Sequence, residues 1–202
     1  MGRADRVEAM TEKLHTSAAG KGVYPASQAG WLLHPLRRFI MSPKRIVGRL
    51  GLKPGDSVLE IGPGPGWFSP EIVKAIRPGR LVLFDIQREM LALAEQRLTK
   101  ARATNFQCVE GDAVNLPFEA GQFDGVLLVT VLGEIPEPGT ALREVARVLK
   151  PGGRVVITEQ LGDPDHVRRA ALETMAREAG LRVERIEGSL LLYSAVLRAE
   201  RK

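Results

Sequence analysis

The sequence predicts an α/β protein built on a doubly wound sheet, and three observations carry that expectation. From Leu52 onward, short apolar runs alternate with segments of helical periodicity. The apolar runs lack polar alternation, as strands do when helices cover both faces of a parallel sheet. The chain closes with two strand-like runs joined by a connection too short for a helix, so the final pair should be an antiparallel hairpin. Strand–helix repeats of this length form right-handed crossovers.

The elements follow in order. Residues 1–22 hold few large apolar side chains and read as a helical or loose lead-in. Residues 31–50 predict two short amphipathic helices, with Leu36, Phe39 and Ile40 at i, i+3, i+4. Ser42-Pro43 has the form of an N-cap followed by proline at the first helical position, and Gly51 that of a stop. Strands are expected at 57–62, 80–85, 105–111, 123–129 and 154–159. Helices are expected at about 68–77, 87–101, 139–149 and 165–179. The second carries Met90, Leu91, Leu93, Ala94 and Leu98 as one stripe. The last should start at Asp163-Pro164, an N-cap with proline in the first turn. The hairpin turns around Glu187-Gly188-Ser189. Residues 1–50 are thus expected to form a helical lid and 51–202 the main domain.

Composition narrows the classes. A chain of 202 residues, 44% apolar and 26% charged, suits one well-cored globular domain. No run approaches a membrane span, and the mixed-charge N-terminus is no secretory signal. Met1-Gly2 opens a myristoylation pattern that Arg6 breaks. A single cysteine, Cys108, excludes an internal disulfide and is read as a core residue of the third strand. A cytoplasmic location is the default expectation. The net charge is +5, and residues 1–50 supply all of it, with nine Lys/Arg against three Asp/Glu. Arg37, Arg38, Lys44, Arg45 and Arg49 lie among Trp31, Leu32, Leu33, Leu36, Phe39, Ile40 and Met41, with no acid between 31 and 50.

In an open α/β sheet, ligands bind beyond the carboxyl ends of the strands. After the first strand comes "EIGPGPG", with Gly62, Gly64 and Gly66 at alternate positions. Glycine lets a backbone turn sharply and approach a ligand. Pro63 and Pro65 remove two amide donors, which argues against a phosphate cradle. The third glycine comes one residue too early for G-x-G-x-x-G, and no Gly-Lys-Ser/Thr follows. After the second strand, Asp85 can accept from ribose hydroxyls or cap the next helix. After the third, Asp112 can accept from an adenine amino group or close an Asx turn. After the fourth, "VTVLGEIP" can line a floor beneath a ligand.

Together, "VLEIGPGPG", "LVLFDIQREML", "VEGDAVNLPF" and "ALREVARVLKPGGRVVITE" resemble the class I S-adenosylmethionine-dependent methyltransferases, in particular the small-molecule group with the ubiquinone/menaquinone-type enzymes. The resemblance covers residues 45–200. It implies a Rossmann-like seven-stranded sheet of order 3-2-1-4-5-7-6, its last strand antiparallel. It also implies S-adenosylmethionine as cofactor, S-adenosylhomocysteine as product, and no metal. Glu60, Gly62, Pro63, Gly64 and Gly66 would hold the cofactor's amino-acid end. Asp85 would bind the ribose, with Ile86 on the adenine face. Asp112 and the Ala113 amide would meet the adenine, and Val129 and Thr130 the methionine portion.

On the acceptor side the residues leave alternatives open. Glu134 is a candidate base or orienting group, or a turn cap before Pro136. His34 and Tyr24 are candidate lid contacts, and Trp67 is read as packing on the N-terminal segment. His15 and His166 are read as surface residues. No Asn/Asp-Pro-Pro-Tyr/Phe follows the fourth strand, where "VTVLGE" stands, and no cysteine is placed for cytosine C5 chemistry. The expected acceptor is therefore a small or lipid-like molecule, methylated at N, O or C. The basic segment reads as a lid, as a peripheral membrane contact, or, with less support, as an RNA contact. A cofactor-binding regulatory module without turnover is the alternative function, and a nicotinamide oxidoreductase is disfavoured by the glycine spacing. Oligomeric state is not legible.

Overall fold

The structure, a computed structural model, describes residues 41–161, 165–189 and 191–199. Helix α1 (Pro43–Gly48) leads into strand β1 (Ser57–Ile61), α2 (Ser69–Ile76), β2 (Arg80–Asp85), α3 (Arg88–Lys100) and β3 (Phe106–Glu110). Strand β4 (Phe123–Val129) follows, then a 3-10 turn (Leu132–Glu134) and α4 (Pro138–Val148). Strand β5 (Leu149–Gln160), α5 (Arg169–Glu178), β6 (Leu181–Gly188) and β7 (Leu192–Ala199) complete the chain. The seven strands form one sheet of order 3-2-1-4-5-7-6. All neighbours are parallel except β7, which runs antiparallel to both β5 and β6. The expected sheet and closing hairpin are present.

Alternation along the central strands sorts the core into two layers. Leu59, Ile61, Val126, Leu128, Val155 and Ile157 face α4 and α5 with Leu142, Val145 and Leu172. Val58, Leu127, Val129 and Val156 face the other side, against Ile72, Ile76, Leu91 and Leu98. The central strands β1, β2, β4 and β5 thus bury both faces, which is why their sequences read as apolar runs, while the edge strands β3 and β6 are only half-buried. Met41, Ile46, Val47 and Leu50 are buried in that second layer, so α1 is part of the packing that holds β1. The Trp67 indole N–H donates to the Met41 carbonyl at 3.2 Å, which places Trp67 on the N-terminal segment as expected.

Several elements differ from the sequence reading. Helix α5 starts at Arg169, not near 165, with Arg168 as its N-cap. Asp163 and Pro164 lie outside the described residues. The delay has a tertiary cause. The Val167 N–H donates to the buried Glu159 carboxylate at 3.2 Å, and the Val167 carbonyl accepts from the Tyr193 hydroxyl at 2.6 Å. These bonds pin residues 166–168 to the sheet before the helix begins. Strand β5 starts five residues early, at Leu149. Leu149 pairs with Phe123 and the register then jumps to Gly125 and Arg154, so the Lys-Pro-Gly-Gly run is an irregularity inside the strand. Ser42 occupies the N-cap of α1 without a side-chain cap bond. His166 is not a surface residue: it is half-buried, with its ring 5.9 Å from that of Tyr193. Cys108 lies on β3, half-buried against the second layer. The first expected N-terminal helix and His15 lie outside the described residues.

Candidate functional site

Four strand ends build one ledge. Beyond β1 the chain stays paired for one more residue, because the Gly62 N–H donates to the Phe84 carbonyl at 2.8 Å. Gly62, Gly64 and Gly66 then take φ of +64°, +53° and +74°, the left-handed region that disfavours any side chain. A Cβ on Gly62 would overlap both methyls of Val131, so the loop is locked against the turn that follows β4. On its far side the loop meets α3: Arg97 Nε donates to the Pro65 carbonyl at 3.0 Å.

Glu60 is the last acid before this loop and is 2% exposed. Its Oε2 accepts from the Ser69 hydroxyl at 2.6 Å, while Oε1 is buried with no hydrogen-bond partner among the described residues. Burial pushes its carboxyl up to about 8, against the downward pull of the Ser69 bond. A buried carboxyl with one bond is unable to carry its charge cheaply, and a cationic donor would supply what it lacks.

Asp85 closes β2 beside the same loop. Its Oδ1 accepts from the Gln87 amide at 2.9 Å. Burial raises its carboxyl to about 6, and the amides of Gln87, Gly64 and Ile86 pull it down. The Gly64 amide thus draws Asp85 and the glycine loop together, and Asp85 serves the helix start as well. Of the two roles read from the sequence, the one at the start of the next helix is present, in the bond from the Gln87 amide. Ile86 is half-buried next to it. The Gly111 N–H donates to the Asp85 carbonyl at 3.0 Å, which sets Asp112 one strand over. Asp112 Oδ1 accepts from the Val114 amide at 3.1 Å, the Asx turn read as one alternative, and Ala113 is buried.

The fourth part of the ledge begins where β4 ends. Val129 is buried, and the Thr130 N–H donates to the Thr158 carbonyl at 2.8 Å. Thr130 has φ +53°, an uncommon conformation for a threonine and one that concentrates at functional sites. Glu134 ends the 3-10 turn three residues beyond Val131, half-buried. The Asp165 carbonyl comes so close to Gly133 that any side chain there would clash, so the chain after β5 lies across this turn. Tyr24 and His34 lie outside the described residues. Among the described residues no three His, Cys, Asp or Glu side chains gather as a metal site.

The structure therefore brings together Glu60, Gly62–Gly66, Asp85 and the Thr130–Val131 turn, with Asp112 one strand away. Sequence reasoning missed Ser69 and Arg97, and read Val131 only as part of the "VTVLGEIP" floor. Ser69 had a signal, a small polar residue at the buried start of a helix after an acid-and-glycine loop. A cavity of about 470 Å³ lies elsewhere, over the start of β1 and β2, lined by Ser57, Arg80, Gln107 and Phe118 among others. It exists because the connection from β3 to β4 carries no helix to cover that sheet face. No residue of the ledge lines it.

Comparison with known proteins points the same way. Residues 59–157 match the family described as a methyltransferase domain. The chain is 34% identical over 158 residues to a ubiquinone/menaquinone biosynthesis C-methyltransferase of Ectopseudomonas mendocina, covering 77% of this chain and 59% of that protein. It is 37% identical over 112 residues to a demethylmenaquinone methyltransferase of Lactococcus lactis, covering 55% and 44%. The match thus spans about half the length of these curated relatives. Among solved structures, an S-adenosylmethionine-dependent methyltransferase of Aquifex aeolicus superposes with a TM-score of 0.81 at 22% identity, over 87% of this chain and 99% of that one.

Proposed function

The chain belongs to the class I S-adenosylmethionine-dependent methyltransferases, and from that premise we propose that it moves the cofactor's methyl group to a small, lipid-like acceptor of the quinone type. The observation that supports this reading best is the shared ledge, where an orphaned buried carboxyl, a left-handed glycine loop and a second carboxylate meet. These residues fit the cofactor. In the proposed arrangement Glu60 and the Gly62–Gly66 loop receive its amino-acid end. Asp85 accepts from the ribose hydroxyls, with Ile86 against the adenine. Asp112 and Ala113 meet the adenine edge, and Val129 and Thr130 lie beside the methionine portion.

When bound, the cofactor supplies an electrophilic methyl on a sulfonium, so the protein needs chiefly to align a nucleophile and exclude water. The turn Val131–Glu134 faces that task. Glu134 is the proposed group that orients the acceptor or takes its proton. Tyr24 and His34, in the expected lid, are proposed contacts that close the site. The names of the relatives support a quinone-like acceptor. The basic, apolar N-terminal segment supports a peripheral membrane contact, where such an acceptor would be met. A cytoplasmic location belongs to the same proposal; no described helix is long and apolar enough to cross a membrane.

Incubation with S-adenosylmethionine and a panel of unmethylated quinone-like acceptors tests the reading. The expected result is an acceptor gaining one methyl group by mass, with repeated turnover. Cofactor binding without turnover on any acceptor would favour a regulatory binding module instead.

A further inference from the structure

Among the described residues Glu60 stands in an apolar setting. It stands on β1 between Leu83 of β2 and Leu127 of β4 in register, both fully buried. The buried face of α2 presents Ser69, Ile72, Val73 and Ile76, and that of α3 presents Met90, Leu91, Ala94 and Leu98. The buried residues of α1 are Ile46 and Val47. No titratable side chain on the buried face of these helices offers Glu60 a counter-charge. Asp85, the acid at the end of β2, lies two register positions beyond Leu83. One oxygen has the Ser69 hydroxyl and the other has no partner among the described residues.

A carboxylate in such a place is costly, and a carboxylic acid is not. We propose that Glu60 selects its ligand by proton release: it enters binding as a carboxylic acid and yields its proton to solvent when the ligand's α-ammonium group docks beside it. The carboxyl O–H bond breaks, the proton goes to buffer, and a carboxylate–ammonium pair forms on the oxygen that had no partner. A ligand without that amine leaves the acid protonated and gains nothing from it. Glu60 is thereby a specificity determinant for the amino-acid end of the cofactor, and the inference rests on the functional reading above for where that end sits.

The linkage has a defined window. The carboxyl, raised to about 8 by burial, is protonated at neutral pH. The logarithm of the association constant should therefore rise by about one per pH unit between about pH 6.5 and 7.5. Asp85, raised to about 6, adds its own dependence lower down.

Calorimetric titration at pH 7 with S-adenosylhomocysteine, in phosphate and in Tris, counts the protons. The expected result is about one proton released per ligand bound by the wild-type protein. Glu60→Gln should bind with almost no proton release. 5′-Methylthioadenosine, which lacks the amino-acid part, should release none from the wild type. Binding of S-adenosylhomocysteine by the wild type without proton release would overturn the inference alone, as would equal release with the two ligands. Failure of the folded protein to bind S-adenosylhomocysteine at all would overturn the functional reading, and the inference with it.

Discussion

Val131 fills the space that a Cβ on Gly62 would need. The residue that opens the glycine loop and the residue that follows β4 are therefore complementary in shape. Through this contact the glycine loop sets the position of the turn that carries Glu134. Gly62→Ala should strain the backbone by about 1–2 kcal/mol, since its φ is +64°, and must also displace Val131. Gly180→Ala is the control: φ is +77° but nothing lies within 4 Å of an added Cβ. Thermal unfolding should fall further for Gly62→Ala, and only that variant should lose cofactor affinity. Equal losses in Tm with unchanged binding would contradict the interlock.

The isolation of Glu60 makes stability depend on pH in a stated direction. Its carboxyl is raised from 4.5 to about 8 in the folded chain. Its stabilising contribution is fully present below pH 4.5 and is lost as pH rises through 8. The loss is on the order of 5 kcal/mol. Glu60→Gln keeps an acceptor for Ser69 and never ionises. Without added cofactor, its urea midpoint should exceed that of the wild type at pH 8.5, and the gap should close at pH 5. A gap that does not change with pH would contradict the assignment of a buried acid.

Asp85 should matter more for binding than for folding. Hydrogen bonds to a charged acceptor contribute about 1.5–3 kcal/mol. Asp85→Ala should therefore weaken cofactor binding by about ten- to a hundredfold. Asp112→Ala removes one proposed bond, to the adenine amino group, where Asp85→Ala removes those to two ribose hydroxyls, and should cost about tenfold. Calorimetry on both variants gives the order, and a larger loss for Asp112→Ala would reverse the two proposed roles.

The proposed membrane contact rests on the cluster around Arg37 and Arg38. The full chain should co-sediment with vesicles containing phosphatidylserine, and less so as salt is raised. Reversing both charges, Arg37→Glu with Arg38→Glu, should cut that binding severalfold. Equal sedimentation of the two proteins would remove the segment from membrane docking.

What could be read from the sequence follows the range of the forces involved. Strands β1, β2 and β4 were legible because burial on both sheet faces writes apolar runs, and the helical stripe of Met90, Leu91, Ala94 and Leu98 was legible too, although Leu93, read into it, is exposed. Gly62, Asp85 and Asp112 were legible because each lies at or just past the end of its strand. The sheet order came with the family resemblance. The start of α5 was not legible, because it is set by the bonds of Val167 to Glu159 and Tyr193, partners on two other strands. Arg97 was missed for the same reason: its bond to Pro65 spans 32 positions. His166 looked like a surface residue because nothing local announces the ring of Tyr193 beside it.

The central claim is that the ledge formed by Glu60, Gly62–Gly66 and Asp85 binds S-adenosylmethionine. Titration of the intact protein at pH 8 with S-adenosylmethionine and S-adenosylhomocysteine tests it most directly. The account predicts saturable binding of both at one site, each displacing the other and each weakened by Asp85→Ala. Absence of binding by both ligands, in protein that circular dichroism finds folded, would contradict it.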